Sequence, residues 1–159
     1  MANWCSNMVE FTTNDKDKLT ALQTLFEEMA AKEKVTEHGQ LPPSSKGDRD
    51  WLFQIQWDGD ILYYETKWSP NVEVIQEIAE HYGVGFRFDY SETGNGIYGQ
   101  YTYENGVLID TCLENEDFEQ YSYNEETDDY TFEGETYEAD YDILEILLER
   151  KKQNANTKN

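Results

Sequence analysis

The sequence predicts an α+β fold: an antiparallel sheet with two helices on one face, then a strand-rich acidic extension and a C-terminal helix. Three observations predict it. Hydrophobic periods over roughly the first ninety residues run strand, helix, strand, strand, helix, strand. The dipeptides Asp58-Gly59, Asn105-Gly106 and Glu133-Gly134 each stand between runs of strand formers, which is the pattern of tight hairpins. Finally, 4 Trp, 12 Tyr and 7 Phe in 159 residues are far more aromatic side chains than a chain without a core carries, despite a formal charge of −22.

Each element has its own signal. Trp4 to Thr12 is rich in strand formers and places Cys5, Val9 and Phe11 on one side of a period-two pleat. Asn14 offers an N-cap, and Leu19, Leu22, Phe26, Met29 and Ala30 recur at helical spacing to near Ala31. Between His38 and Arg49 the breakers Gly39, Pro42, Pro43 and Gly47 make an irregular loop. Asp50 to Trp57, with Trp51, Phe53, Ile55 and Trp57 alternating, and Ile61 to Trp68 form a hairpin. Ser69 can cap a second helix with Pro70 at its first position, carrying Val72, Ile75, Ile78, Ala79 and Tyr82 to a stop at Gly83. Val84 to Tyr90 alternates again. This order is that of the ferredoxin-like, split βαβ fold. Beyond it, Ile97 to Glu104 pairs with Val107 to Glu114, Tyr130 to Phe132 pairs with Glu135 to Tyr137, and Asp142 to Lys152 reads as a helix with basic residues in its last turn. The expected division is a core over residues 1–91, an acidic extension and helix packed on the same domain over 92–152, and a disordered tail over 153–159.

Charge is regional. The chain holds 34 acidic and 12 basic residues, and no Lys or Arg occurs from Phe88 to Glu149, where 19 of the acids lie. A direct nucleic-acid reader needs the basic footprint that is missing here, so the charge points to a basic partner or to solubility. Two cysteines are too few for a disulfide framework or an iron–sulfur cluster, and a reduced, cytoplasmic setting is the expectation. The first residues carry no basic and apolar leader pattern, and no run approaches the ~20 apolar residues of a membrane span.

Candidate chemistry is sparse. Gly94-Asn95-Gly96-Ile97-Tyr98-Gly99 spells G-x-G-x-x-G, but a strand pattern follows where a dinucleotide site needs a helix N-terminus. Asp89, Ser91 and Thr93 resemble the start of a calcium loop, whose bidentate Glu position is occupied by Gln100. His38 and His81 lack any ligand-spaced Cys or His, and Cys5 and Cys112 lie on strand patterns as buried, inert thiols. No catalytic residue, cofactor site or metal site is assigned. What remains is an acidic, tyrosine-rich segment, read either as a strand layer with aromatics inward and acids outward or as carboxylates spaced on strands like nucleic-acid phosphates.

Three features together resemble the YubB ferredoxin-like domain family of phage and plasmid proteins: Asn3-Trp4-Cys5-Ser6-Asn7, Trp68-Ser69-Pro70, and an aromatic strand followed by Gly96-Ile97-Tyr98-Gly99. The resemblance spans Ala2 to Leu113. Ala2 and Asn71 stand where the family often has proline, and the acidic region from Glu114 on has no matched counterpart. It implies an accessory protein of a mobile element and transfers no enzymatic activity.

The expectation is a non-enzymatic acidic protein that inhibits a basic, nucleic-acid-binding host protein such as a defence nuclease, without binding nucleic acid or membrane itself. Its partner-binding residues would be Glu114, Glu116, Asp117, Glu119, Tyr121, Tyr123, Glu125, Glu126, Asp128, Asp129 and Tyr130. Tyr would supply low-entropy anchors among the charges. The alternative is a small-molecule sponge or hydrolase with a closed pocket lined by Tyr and Trp. Two further expectations are that Trp4 and Trp68 are largely buried. Oligomeric state is left open.

Overall fold

A computed structural model describes residues 3–157. The chain divides into two compact units, Met1–Glu92 with Gln100–Asp110 and Thr93–Gly99 with Thr111–Asn159.

The first unit is built on β1 (Trp4–Thr12), α1 (Lys16–Thr36), β2 (Phe53–Asp58), β3 (Ile61–Lys67), α2 (Val72–Tyr82) and β4 (Gly85–Glu92). With β5 (Ile97–Glu104) and β6 (Val107–Cys112) these strands form a six-stranded sheet ordered β2-β3-β1-β4-β5-β6. Strand β1 lies between β3 and β4, antiparallel to both, with Asn7 opposite Tyr64 on one side and Tyr90 on the other. Strict alternation sets the core face: Cys5, Asn7, Val9 and Phe11 of β1, Leu62, Tyr64 and Thr66 of β3, and Phe86, Phe88 and Tyr90 of β4 are all buried. Against it, α1 buries Leu22, Phe26 and Met29, and Phe26 stacks on Phe11 and Trp57 with centroids 5.9 Å apart in both cases. Helix α2 buries Val72, Val74, Ile75, Ile78 and Ala79. Each fully buried Leu, Ile or Phe contributes roughly 1.5–3 kcal/mol. On the other face of the sheet, Arg87 bridges Glu10 at 3.4 Å and Asp89 at 3.5 Å.

Four local expectations are corrected. Helix α1 is capped by Asp15, whose carboxylate accepts from the N–H groups of Asp17 and Lys18, and it runs past Ala31 to Thr36. The extra turn is held by Glu33, which accepts from the backbone of Gln54 at 2.7 Å and Ile55 at 3.0 Å. Strand β2 therefore starts at Phe53 rather than Asp50 and carries a bulge between Phe53 and Gln56, with Gln54 at φ 51°. Helix α2 begins at Val72 after Asn71, because the Ser69 carbonyl is held in the preceding turn by the Thr66 hydroxyl at 2.7 Å. Trp4 and Trp68 are 41 % and 54 % exposed. Trp4 alternates with Cys5 and so faces away from the core, while Trp68 occupies the turn at φ 73°.

The second unit contains the short helix α3 (Asn115–Phe118), the strands β7 (Ser122–Asn124), β8 (Asp129–Phe132) and β9 (Glu135–Tyr137), and α4 (Asp140–Thr157). The strands make an antiparallel sheet ordered β7-β8-β9, with Tyr130 opposite both Tyr123 and Tyr137. Its core is Leu113, Phe132, Ile143, Leu144, Leu147 and Leu148, flanked by Tyr98, Phe118, Tyr121, Tyr130 and Tyr137. Helix α4 starts two residues before Asp142 and includes Gln153 to Thr157, which were expected as a frayed tail; residues 158 and 159 lie outside the described residues. Cys112, expected buried, is exposed: alternation along the chain gives the core position to Leu113. Among the described residues no helix is long and apolar enough to cross a membrane.

Candidate functional site

The acidic segment folds as two kinds of residue. Glu114, Glu116, Glu119, Glu125, Glu126 and Asp128 are exposed. Asp117 is buried: it accepts from the Glu114 N–H at 2.7 Å and pairs with Lys151 of α4 at 2.6 Å, so it caps α3 and ties it to the core. Tyr121 and Tyr130 are half-buried against the core, and the Tyr121 hydroxyl donates to Asp140. Burial and Asp140 push that phenol up to about 12. Tyr123 is 49 % exposed and donates to Asp128 at 2.6 Å across the β7–β8 turn, where Asp128 sits at φ 54°. That hydrogen bond raises the Tyr123 pKa. Asp129 is half-buried and accepts from the Thr127 hydroxyl at 2.6 Å. The hairpin thus brings Tyr123, Glu125, Glu126 and Asp128 together at one edge, while Asp117, Tyr121 and Tyr130 hold the unit in shape. Two cations of α4 answer other acids, Arg150 on Glu133 and Lys152 on Glu149 at 3.9 Å.

A second feature, in the first unit, was not singled out by the sequence. A cavity of about 400 Å³ is lined by His38, Gly39, Asp50, Trp51, Phe53, Thr66, Lys67 and Ser69. Its shape rests on a buried polar network. The Asn7 amide donates to the Thr66 hydroxyl at 3.0 Å and the Cys5 carbonyl at 3.1 Å, and Thr66 in turn donates to the Ser69 carbonyl. Asn71 accepts from the Tyr64 hydroxyl and donates to the Asp50 carbonyl at 2.8 Å. The Trp68 N–H donates to the Asn3 carbonyl at 2.7 Å. The segments Asn3-Trp4-Cys5-Ser6-Asn7 and Trp68-Ser69-Pro70, far apart in the chain, are therefore one structure that braces this cavity. Burial pushes the Cys5 thiol up to about 11, and raises Tyr64 well above the ordinary phenol value, so neither ionises near neutrality.

The aromatic wall is fixed as well. The Trp51 indole N–H donates to the Asp48 carbonyl at 2.7 Å, and Trp4 meets Phe53 edge-on with centroids 5.1 Å apart. Lys67 places its ammonium 5.1 Å from the Phe53 centroid and 6.0 Å from that of Trp4. At Gly39 a Cβ would come within 2.7 Å of the Phe53 ring, so the absent side chain is what lets the ring seat. Asp50, Gln54 and Trp68 all adopt left-handed backbone at or beside this cavity. Such conformations persist in non-glycine residues only where surrounding bonds hold them.

His81 is exposed on α2, and His38 lines the cavity. The segment from Gly94 to Gly99 forms a 3₁₀ turn over Thr93–Asn95 and then enters β5, with Gly96 at φ 67°; no helix follows it to receive a phosphate. Asp89 accepts from the Gln100 amide. Among the described residues no three His, Cys, Asp or Glu side chains converge as a metal site would require.

The family described as the ferredoxin-like domain in Api92-like protein matches residues 47–133. The chain belongs to this family. The matched span of the Api92-like ferredoxin-like domain takes in the cavity wall from Asp50 to Ser69 and the acidic segment as far as Glu133. It differs from the span of the resemblance, Ala2 to Leu113, at both ends. No curated protein and no solved structure matches the chain.

Proposed function

We propose that this protein is a non-enzymatic binder whose acidic second unit engages a basic, nucleic-acid-binding protein, occupying the groove that would otherwise hold a phosphate backbone. One observation carries the reading. The second unit has fifteen acidic against four basic residues, and the ion pairs of its described cations involve Asp117, Glu133 and Glu149, which leaves Glu114, Glu116, Glu119, Glu125, Glu126 and Asp128 exposed around an aromatic hairpin. Fields of one sign steer a basic partner and raise its association rate above the 10⁵–10⁶ M⁻¹s⁻¹ ordinary for neutral surfaces, by up to roughly a thousandfold at low salt. Tyr123, half-exposed with its hydroxyl fixed on Asp128, offers an anchor whose ordering cost is already met. A mobile-element accessory role is what the resemblance of Asn3 to Asn7 and Trp68 to Pro70 implies, and a counter-defence target is proposed from that role together with the acidic surface. A split βαβ reading of the core is supported by the element order and by the adjacency β2-β3-β1-β4.

The test is capture of host proteins that bind heparin, by the immobilised full chain at 50 and 500 mM salt (about 14 and 4 Å screening lengths). The expected result is capture at low salt only, lost in a variant carrying Glu116→Lys, Glu119→Lys, Glu125→Lys and Glu126→Lys. Capture that survives both high salt and the four substitutions would refute the acidic-surface reading.

A further inference from the structure

Independently of the acidic surface, we propose that the cavity between the His38 loop and Ser69 is a binding site for a small, flat heteroaromatic ligand bearing one anionic group, of about the size of a mononucleotide. The juxtaposition of two fixed aromatic rings with one ammonium group carries this. Trp51 is locked through its indole N–H and Phe53 through Gly39 and Trp4, so a planar ring meets walls that need no ordering when it arrives. Trp51, which lines the cavity, is still 40 % exposed, and a stacked ligand would cover apolar surface that the fold leaves in water.

The charge of the ligand follows from its surroundings. Lys67 has no carboxylate within ion-pair distance among the described residues and is held over the rings of Phe53 and Trp4, so its ammonium is available at the cavity wall. It is the lining's one permanent cation, Asp50 stands in the same lining, and the chain carries −22 overall. A second or third negative charge on the ligand would find no partner and would be repelled. A single anionic group is therefore favoured over a polyphosphate. Edge recognition falls to the His38 imidazole, the Asp50 carboxylate and the Ser69 hydroxyl, because the Thr66 hydroxyl is already committed to Asn7 and Ser69. A volume of about 400 Å³ stands near the lower end of the range for ligand sites and suits one ring system with a sugar-sized appendage rather than a dinucleotide.

Titration of the full chain with 3′,5′-cyclic AMP, indole-3-acetate, adenosine and ATP, followed by calorimetry and tryptophan fluorescence, tests the site. At least one of the two monoanions should bind with a Kd below ~1 mM, and adenosine and ATP at least tenfold more weakly. Whichever monoanion binds more tightly distinguishes a nucleotide from an aryl carboxylate as the natural chemistry. Trp51→Ala and Lys67→Gln should each weaken binding tenfold or more, whereas Trp51→Phe and Lys67→Arg, which keep the ring and the charge, should stay within threefold. Absence of saturable binding by both monoanions would overturn the proposal, as would equal affinity in the Ala and Gln variants. The four-Lys variant of the acidic unit should bind these probes like the native chain, so the two readings fail separately.

Discussion

Replacing Asn71 with Ala should destabilise the first unit by about 3 kcal/mol, and the structure says where that figure comes from. Asn71 is 1 % exposed, its side-chain oxygen accepts from the Tyr64 hydroxyl, and its amide donates to the Asp50 carbonyl at 2.8 Å. Alanine leaves two polar groups without a partner, each costing roughly 1–3 kcal/mol when buried. Tyr64, 3 % exposed, takes about 2 of these, while the Asp50 carbonyl, next to an exposed side chain that water can reach, takes about 1. At 2–4 °C per kcal/mol for a chain of this size, Tm should fall by roughly 6–12 °C. Tyr64→Phe alone should cost about 1–2 kcal/mol, by orphaning the Asn71 oxygen. In the double variant the phenol that alanine would strand is gone, so the two effects should fall short of additive by about 1 kcal/mol or more. Urea unfolding of the four proteins, followed by circular dichroism and tryptophan fluorescence, gives the coupling directly. Additivity to within ~0.5 kcal/mol would refute the view that Tyr64, Asn71 and Asp50 act as one network.

Two further outcomes follow from named contacts. Glu33→Ala should lower the urea midpoint by the equivalent of about 2 kcal/mol at unchanged m, since the bulge N–H groups of Gln54 and Ile55 lose a carboxylate acceptor, and Glu33→Gln by about half as much; a midpoint unmoved by both would show that the bulge holds itself. At high pH, the folded chain holds protons that the unfolded chain releases: Cys5, ordinarily 9.0, is raised to about 11 by burial, and burial likewise raises Tyr64 well above its ordinary 10.0. Stability should therefore be intact below pH 9 and decline as pH rises through 9 to 11, more shallowly in Tyr64→Phe; a flat profile across that window would contradict the burial of both groups.

How far the sequence could be read depends on the range of the interaction that fixes each element. Strand β1 and helix α2 have local causes, a period-two pleat in one and an apolar stripe ended by Gly83 at φ 68° in the other, and both are readable within a dozen residues. The same pleat assigns Trp4 to the face opposite Cys5, so its exposure is legible in the alternation; its place at the edge of a core element is the weaker guide. The end of α1 and the start of β2 have a shared, distant cause. Glu33 looks like a surface acid once the apolar stripe stops at Ala31, and only its bonds to Gln54 and Ile55, 21 and 22 residues on, explain both the longer helix and the bulge. Ser69 before Pro70 is a good local cap, yet a hydroxyl from Thr66 holds its carbonyl in a turn and hands the boundary to Asn71.

The candidate sites divide along the same line. Composition alone locates the acidic segment, but not which of its acids are structural: Asp117 is set apart by the Glu114 N–H three residues before it and by Lys151, thirty-four residues later. The cavity is harder still. Its lining comes from the His38 loop, the residues leading into β2 and the end of β3, and what joins them is the register that sets Trp4 opposite Lys67. A slip of one residue would turn Lys67 to the core face and carry Thr66 away from Asn7, losing the ammonium and the hydroxyl together. Asn7 and Asn71 guard that register on the core face of β3, through Thr66 and Tyr64 respectively. Their side chains therefore specify the geometry of the cavity without lining it.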